Sequence, residues 1–194
     1  MLTSITPLGE RGRGNRWWLT TLWLLIGHLA GGAALGTAMV AGSIAVDAAI
    51  GRPSASSVVL IVGAAALVAV AGDLAGLRPP GRRQVDERWL TSYRGWVYGA
   101  GFGVQLGFGL VTVVNTLLLA VVILAGVLLV PSHALVLGIV YGLTRGAGAA
   151  LGGRVRSVGD LRRLHRLLDQ RERAATWVSL GAVVAVATGA MVLA

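Results

Sequence analysis

From Tyr98 to Val130 the chain runs for 33 residues without a formal charge, YGAGFGVQLGFGLVTVVNTLLLAVVILAGVLLV. About 20 apolar residues are enough for a helix to cross the hydrocarbon core of a bilayer. A run this long is hard to bury in a soluble core, so a membrane is its natural solvent. Its first half carries glycines four apart, at Gly99, Gly103 and Gly107. On a helix that spacing makes one ridge, along which a neighbouring backbone can come very close. This run is expected to be the helix around which the rest of the chain packs. A second ridge follows at Gly138, Gly142 and Gly146, beyond the tight turn at Pro131 and Ser132. In an antiparallel hairpin Gly99 and Gly146 sit at similar depth, so the two ridges are expected to face each other.

The rest of the composition agrees with a membrane solvent. Of the 194 residues, 55% are hydrophobic and 13% charged, and the mean hydropathy is +0.76. A soluble domain carries about 25% charged residues. No polar stretch is long enough to make a separate soluble domain. All 17 basic side chains are Arg, a bias that follows from GC-rich coding. They flank apolar runs, which reads as membrane orientation rather than nucleic-acid binding. The chain has no Cys, which excludes disulfides, thiolate metal sites and thiol relays within it. Arg11, Arg13 and Arg16 before Trp17 look like the start of a signal peptide. The apolar run that follows is far longer than the ~7–15 residues of a signal core, so it is expected to stay as the first span.

The expected fold is all-α, a polytopic membrane helix bundle of about five spans. Residues 1–16 form a basic arm, and residues 17–151 a bundle of two related halves, 17–77 and 88–151. Residues 152–173 form a basic amphipathic helix, and residues 174–194 the last span. Within the bundle the spans are Trp17–Val46, Val58–Leu77, Tyr98–Val130 and His133–Leu151. Five spans place sixteen of the seventeen Arg on one side, with only Arg52 opposite. The positive-inside rule makes that side cytoplasmic. Spans 1 and 3 are each long enough to be two crossings. That seven-span arrangement leaves twelve Arg inside and five outside, so five spans are preferred. A repeat at an offset of 71 residues aligns Trp18–Val40 with Trp89–Val111, matching Gly32 and Gly36 with Gly103 and Gly107. Such repeats build many transporters.

Polar groups inside spans are costly and mark places of interest. Asp73 and Arg145 fall near the basic ends of spans 2 and 4 and make a candidate ion pair. His28, Gln105, Thr112, Asn115 and Thr116 are candidates to line a narrow polar path. Thr hydroxyls also bond their own helix, and a lone Gln or Asn serves as interhelical glue. The segment Ser157–Arg173 places Val158, Leu161, Leu164 and Leu168 at helical spacing, with Arg162, Arg163 and Arg166 on the other faces. It is expected to lie on the inner leaflet, against anionic lipid headgroups. No catalytic motif, metal site or cofactor motif occurs. The GAGFG run at 99–103 lies inside an apolar span, with no preceding strand, and reads as helix packing. A haem site needs His28 and His133 to meet, and they fall at different depths.

PLGERGRGNR before a Gly-rich span, and RGWVYGAGFGVQLGFG at the start of the second half, resemble the transmembrane proteins of the CcdA/DsbD type. Those belong to the wider superfamily of small LysE-like exporters. The likeness covers residues 4–150. Members carry electrons across the membrane with a cysteine in each of two inverted repeats. Without Cys, this chain inherits no redox residue from them. The resemblance implies a cysteine-free relative that moves a small solute, or a structural subunit beside a redox or biogenesis complex. The expectation is therefore a non-enzymatic protein of a bacterial cytoplasmic membrane. It is either a small-solute transporter or a subunit packing against membrane partners, a second copy included.

Overall fold

The computed structural model describes residues 5–77, 86, 88–109 and 116–193. The elements in chain order are α1 (Pro7–Gly12), α2 (Trp17–Ile50), α3 (Ala55–Leu74), α4 (Trp89–Ser92), α5 (Gly95–Phe108), α6 (Leu118–Leu128) and α7 (Pro131–Ala147), then a 3₁₀ segment (Gly148–Arg154) and α8 (Val158–Leu193). No strand occurs among the described residues. Trp17–Ile50, Ala55–Leu74, Pro131–Arg154 and Ala174–Val192 are long and apolar enough to cross a membrane. The chain is a multi-pass integral membrane protein.

The hub is α2, not the charge-free run. Gly27 and Gly31 of α2 form one ridge, and Gly32 and Gly36 form another. At 100° per residue the second ridge is turned a little over a quarter-circle from the first. Each ridge receives one neighbour. A Cβ added at Gly103 of α5 would lie 2.8 Å from the Gly27 Cα, and one at Gly107 the same distance from the His28 Cα. One at Gly99 would lie 2.6 Å from the Thr20 carbonyl oxygen. On the other side, a Cβ at Gly32 would lie 3.0 Å from the Gly142 Cα, and Gly138 is pressed against the Gly36 backbone. Gly146 abuts the His28 side chain. The expected contact between the ridges of spans 3 and 4 is thus replaced by two separate contacts on α2. The cause is the doubled glycine series, which gives the first span two bare faces. These contacts leave no room for a side chain, so dispersion and close backbone approach hold the bundle.

The pairings Thr20–Gly99, Gly27–Gly103 and His28–Gly107 run in the same chain direction, so α2 and α5 are parallel. The two segments related by the 71-residue offset therefore lie side by side. α7 runs antiparallel to both.

Span 1 is a single helix of 34 residues, which removes the alternative of splitting it. The charge-free run is not a single helix. α5 ends at Gly109, whose φ of +78° only glycine adopts readily. Its amide donates to the Gln105 carbonyl at 3.2 Å, closing the last turn. The next described helix, α6, starts at Leu118. α6 continues along α2 in the direction of α5, with Gly126 against Met39 and the Ser43 hydroxyl donating to the Leu129 carbonyl at 2.6 Å.

α3 returns along the other side of α6, with Gly72 against Leu117, and carries α8 through a contact of Gly63 with Met191. α8 is one unbroken helix of 36 residues. The amphipathic segment and the last span, read apart in the sequence, form a single rod. Leu, Arg, Gln, Glu and Ala across the junction are good helix formers, and no Gly or Pro interrupts them. The Ser157 hydroxyl accepts from the Asp160 amide at 3.1 Å, and the Asp160 carboxylate accepts from the Ser157 amide at 3.0 Å. This reciprocal cap starts the helix at Ser157.

The N-terminal arm is folded as well. Thr6 caps α1 by accepting from the Gly9 amide at 3.1 Å, and Pro7 takes the first helical position. The Leu8 amide donates to the Val155 carbonyl at 3.1 Å, strapping α1 to the end of the 3₁₀ segment. This pole gathers Arg11, Arg13, Arg16, Arg94, Arg154 and Arg156, while the opposite pole holds an Asp47–Arg52 pair at 3.0 Å.

Candidate functional site at the break between α5 and α6

The interruption lies level with the middle of α2. Phe108 packs at Gly31 on one side of it, and Gly126 at Met39 on the other. A helix start leaves backbone amides without partners, and in an apolar surrounding each unsatisfied group costs several kcal/mol. Here a side chain from another helix supplies the acceptor. The Asp73 carboxylate, at the end of α3, accepts from the Leu117 amide at 2.9 Å and from the Thr116 hydroxyl. Thr116 in turn accepts from the Leu118 amide at 3.1 Å. A negative group here also suits the positive end of the α6 dipole.

The other side of the break is met by α7. A Cβ at Gly109 would lie 2.5 Å from the Tyr141 hydroxyl, so that hydroxyl sits directly on the turn. Arg145 donates to the same hydroxyl at 2.8 Å, and its guanidinium stands 5.8 Å from the Tyr141 ring centre. The candidate pair of Asp73 with Arg145 is therefore not formed. The carboxylate goes to a half-helix start and the guanidinium to a tyrosine one turn back on its own helix. The start of α6 offers Asp73 two donors, whereas Arg145 is held by Tyr141 on its own helix.

The polar-path candidates are not brought together as a set. His28 is buried between α5 and α7, and its Nδ1 donates to the Leu24 carbonyl at 2.8 Å. Gln105 is two residues from both Gly103 and Gly107, about 200° around α5 from the face on α2. His28 and Gln105 thus belong to different faces. Thr116 is bound to Asp73. Thr112 and Asn115 lie outside the described residues. His133 starts α7, thirteen residues and about 20 Å from the turn that meets His28. No group of three metal-ligating His, Cys, Asp or Glu occurs among the described residues.

A second polar cluster closes the basic pole, and the sequence reading had left it out. Glu10 of α1 is fully buried. Its carboxylate accepts from Arg13 at 2.6 Å, from the Thr20 hydroxyl at 2.9 Å and from the Tyr98 hydroxyl. Asn15 donates to the same Tyr98 oxygen at 3.2 Å. One carboxylate so joins the arm to α2 and α5. Burial works against the charge on Arg13, but its hydrogen bonds to Glu10 and Tyr98 outweigh it and hold the guanidinium above its ordinary range. The signal was present in Thr6-Pro7, a helix start, and in Glu10 and Arg13 three apart.

Comparison with known proteins gives no match to a family model, to a curated protein or to a solved structure.

Proposed function

We propose that this protein moves a small solute across the cytoplasmic membrane, past the break between α5 and α6. One observation supports this most: a helix interrupted among apolar spans, with its restart capped by the Asp73 carboxylate. Irregular backbone at membrane depth is tolerated where it is enclosed by protein or lines a water-filled cavity. Half-helix ends of this kind form the binding sites of many secondary transporters. Packing alone has no need of Asp73, Thr116, Tyr141 and Arg145 around one turn, since ionisable groups within spans are costly. In this reading α5 and α6 together make one crossing, which gives five. The Arg-rich pole faces the cytoplasm and its anionic headgroups, and α1, pinned by Glu10, is the cover over the inner end of α2 and α5.

The absence of Cys makes the test direct, because any introduced cysteine is the sole thiol. Gln105→Cys and Thr116→Cys are to be labelled in sealed vesicles with a membrane-impermeant maleimide. Arg162→Cys and Arg52→Cys mark the two surfaces. The transport reading expects at least one interior position to react from one side. No reaction at either interior position in right-side-out or in inverted vesicles, with Arg52→Cys labelled in the first and Arg162→Cys in the second, would sink it.

A second reading is favoured by one feature of α8. Gly181 and Gly189, with Ala185 midway, are exposed, and a Cβ at either glycine would meet nothing within 4 Å. A subunit that docks on a membrane partner, or on a second copy, needs a bare strip of this kind. Unlabelled interior positions together with a cross-link through Gly181→Cys would favour that reading.

A further inference from the structure

Away from the break, the structure holds a groove of about 1180 Å³ between the start of α8 and the end of the 3₁₀ segment. Arg154, Arg163 and Arg171 line it, and Leu164, Leu167 and Leu168 supply its apolar wall. On α8 these residues recur every three to four positions, so one helical face makes most of the groove. Two carboxylates also line it, Asp160 and Asp169. Asp160 is committed to the helix start, accepting from Ser157 and from the Arg156 amide at 3.2 Å. None of the three guanidiniums forms an ion pair with a described carboxylate.

The groove is placed at the edge of the bilayer. Ala175, which also lines it, belongs to the apolar stretch Ala174–Val192. On the other side Gly153 is packed on the Trp17 ring, and tryptophan favours the membrane–water interface. The groove thus lies on the headgroup side of that apolar stretch. Along α8 the leucines stand between Arg163 and Arg171, and Arg171 is the guanidinium nearest the apolar stretch. Guanidinium pairs with phosphate through parallel N–H bonds.

We propose that this groove is a binding site for an anionic phospholipid, whose headgroup is held by Arg154, Arg163 and Arg171 against the wall of Leu164, Leu167 and Leu168. A lipid held there ties the 3₁₀ segment to α8, a junction otherwise spanned by the three residues 155–157. The site depends on membrane insertion and is independent of the transport reading.

The test uses the full chain purified in detergent, with bound lipid counted by native mass spectrometry. Phosphatidylglycerol and phosphatidylcholine of equal chain length are compared, with glycerol 3-phosphate as the free headgroup. Arg154→Gln/Arg163→Gln/Arg171→Gln removes three charges from the groove. Arg156→Gln/Arg162→Gln/Arg166→Gln removes three charges outside it. The wild type is expected to prefer phosphatidylglycerol at least tenfold. The groove variant should fall to the phosphatidylcholine level, and the control should stay within twofold of wild type. If the triple variant does not fold, Arg163→Gln alone should lower the preference about threefold. Equal binding of both lipids, equal loss in the two triple variants, an unchanged preference in Arg163→Gln, or full displacement by glycerol 3-phosphate would overturn the site.

Discussion

The small residues of α2 and those of α8 share a four-residue rhythm and meet opposite surroundings. Each α2 ridge is pressed against another backbone, whereas Gly181 and Gly189 of α8 face open space. α2 is flanked by α5, α6 and α7, while α8 leans mainly on α3. Small residues therefore do not define a contact by themselves. They permit one, and the contact forms where a second bare strip has matching pitch and direction. α5 and α7 supply such strips. α3 does not, because its contact with α8 is made through the flexible Met191.

The contrast is broken most directly by filling both kinds of glycine. Gly103→Leu drives a side chain into the Leu24 and Gly27 backbone, which cannot yield as a rotamer can. Overpacking of this kind costs about 3 kcal/mol or more. Thermal unfolding followed by tryptophan fluorescence in detergent should show a large drop or no folded protein. Gly189→Leu should stay within about 0.5 kcal/mol of wild type. Equal effects at the two positions would remove the distinction.

The next largest effect belongs to the basic pole. Glu10→Ala strips Arg13, Thr20 and Tyr98 of their shared acceptor, and breaking a buried charged cluster costs about 3–5 kcal/mol. Arg13 is partly exposed, so the low end of that range is expected. Protease cleavage within residues 1–16 should become faster at the same time. Asp73→Ala comes third. It removes the cap of α6, and loss of a cap costs about 1 kcal/mol. Asp73→Asn keeps an acceptor and should recover most of it, and amide hydrogen exchange at Leu117 and Leu118 reports the difference.

The smallest effect is at the start of α8, where hydrogen bonds from Ser157 and from the Arg156 amide hold the exposed Asp160 carboxyl below its ordinary value of 3.8. A folded value that is depressed stabilises above the ordinary one, and its contribution is lost as pH falls through the lower one. The first turn of α8 should therefore fray only in strong acid. Ser157→Ala should move the Asp160 carboxyl titration, followed by NMR, back up toward the ordinary range.

Much of this was legible in the chain. Apolar runs marked the spans, and the four-residue spacing marked Gly99, Gly103 and Gly107 as a packing face. Their partner was not legible from that face, since one glycine ridge looks like another. The clue lay in span 1, where Gly27, Gly31, Gly32 and Gly36 are two ridges offset by one residue. The interruption at Gly109 was hidden because glycine at that position also continues the run of small residues, and only its positive φ distinguishes a stop from a contact. Asp73 stands out in the sequence as an acid near the end of a span, but depth alone pairs it with Arg145 and not with the Leu117 amide that it meets. Charge pairing can be read from sequence spacing, whereas the free end of a half-helix exists only once the helix is known to break.

The doubled face of α2 has a consequence for biosynthesis. The helix with the most bare backbone to cover leaves the ribosome well before the strips that cover it. Gly27 waits for Gly103, and Gly32 for Gly142. At about 5–20 residues per second, α2 stands uncovered for several seconds. Whatever shields it meanwhile, lipid or insertion machinery, has to be given up when α5 and α7 arrive.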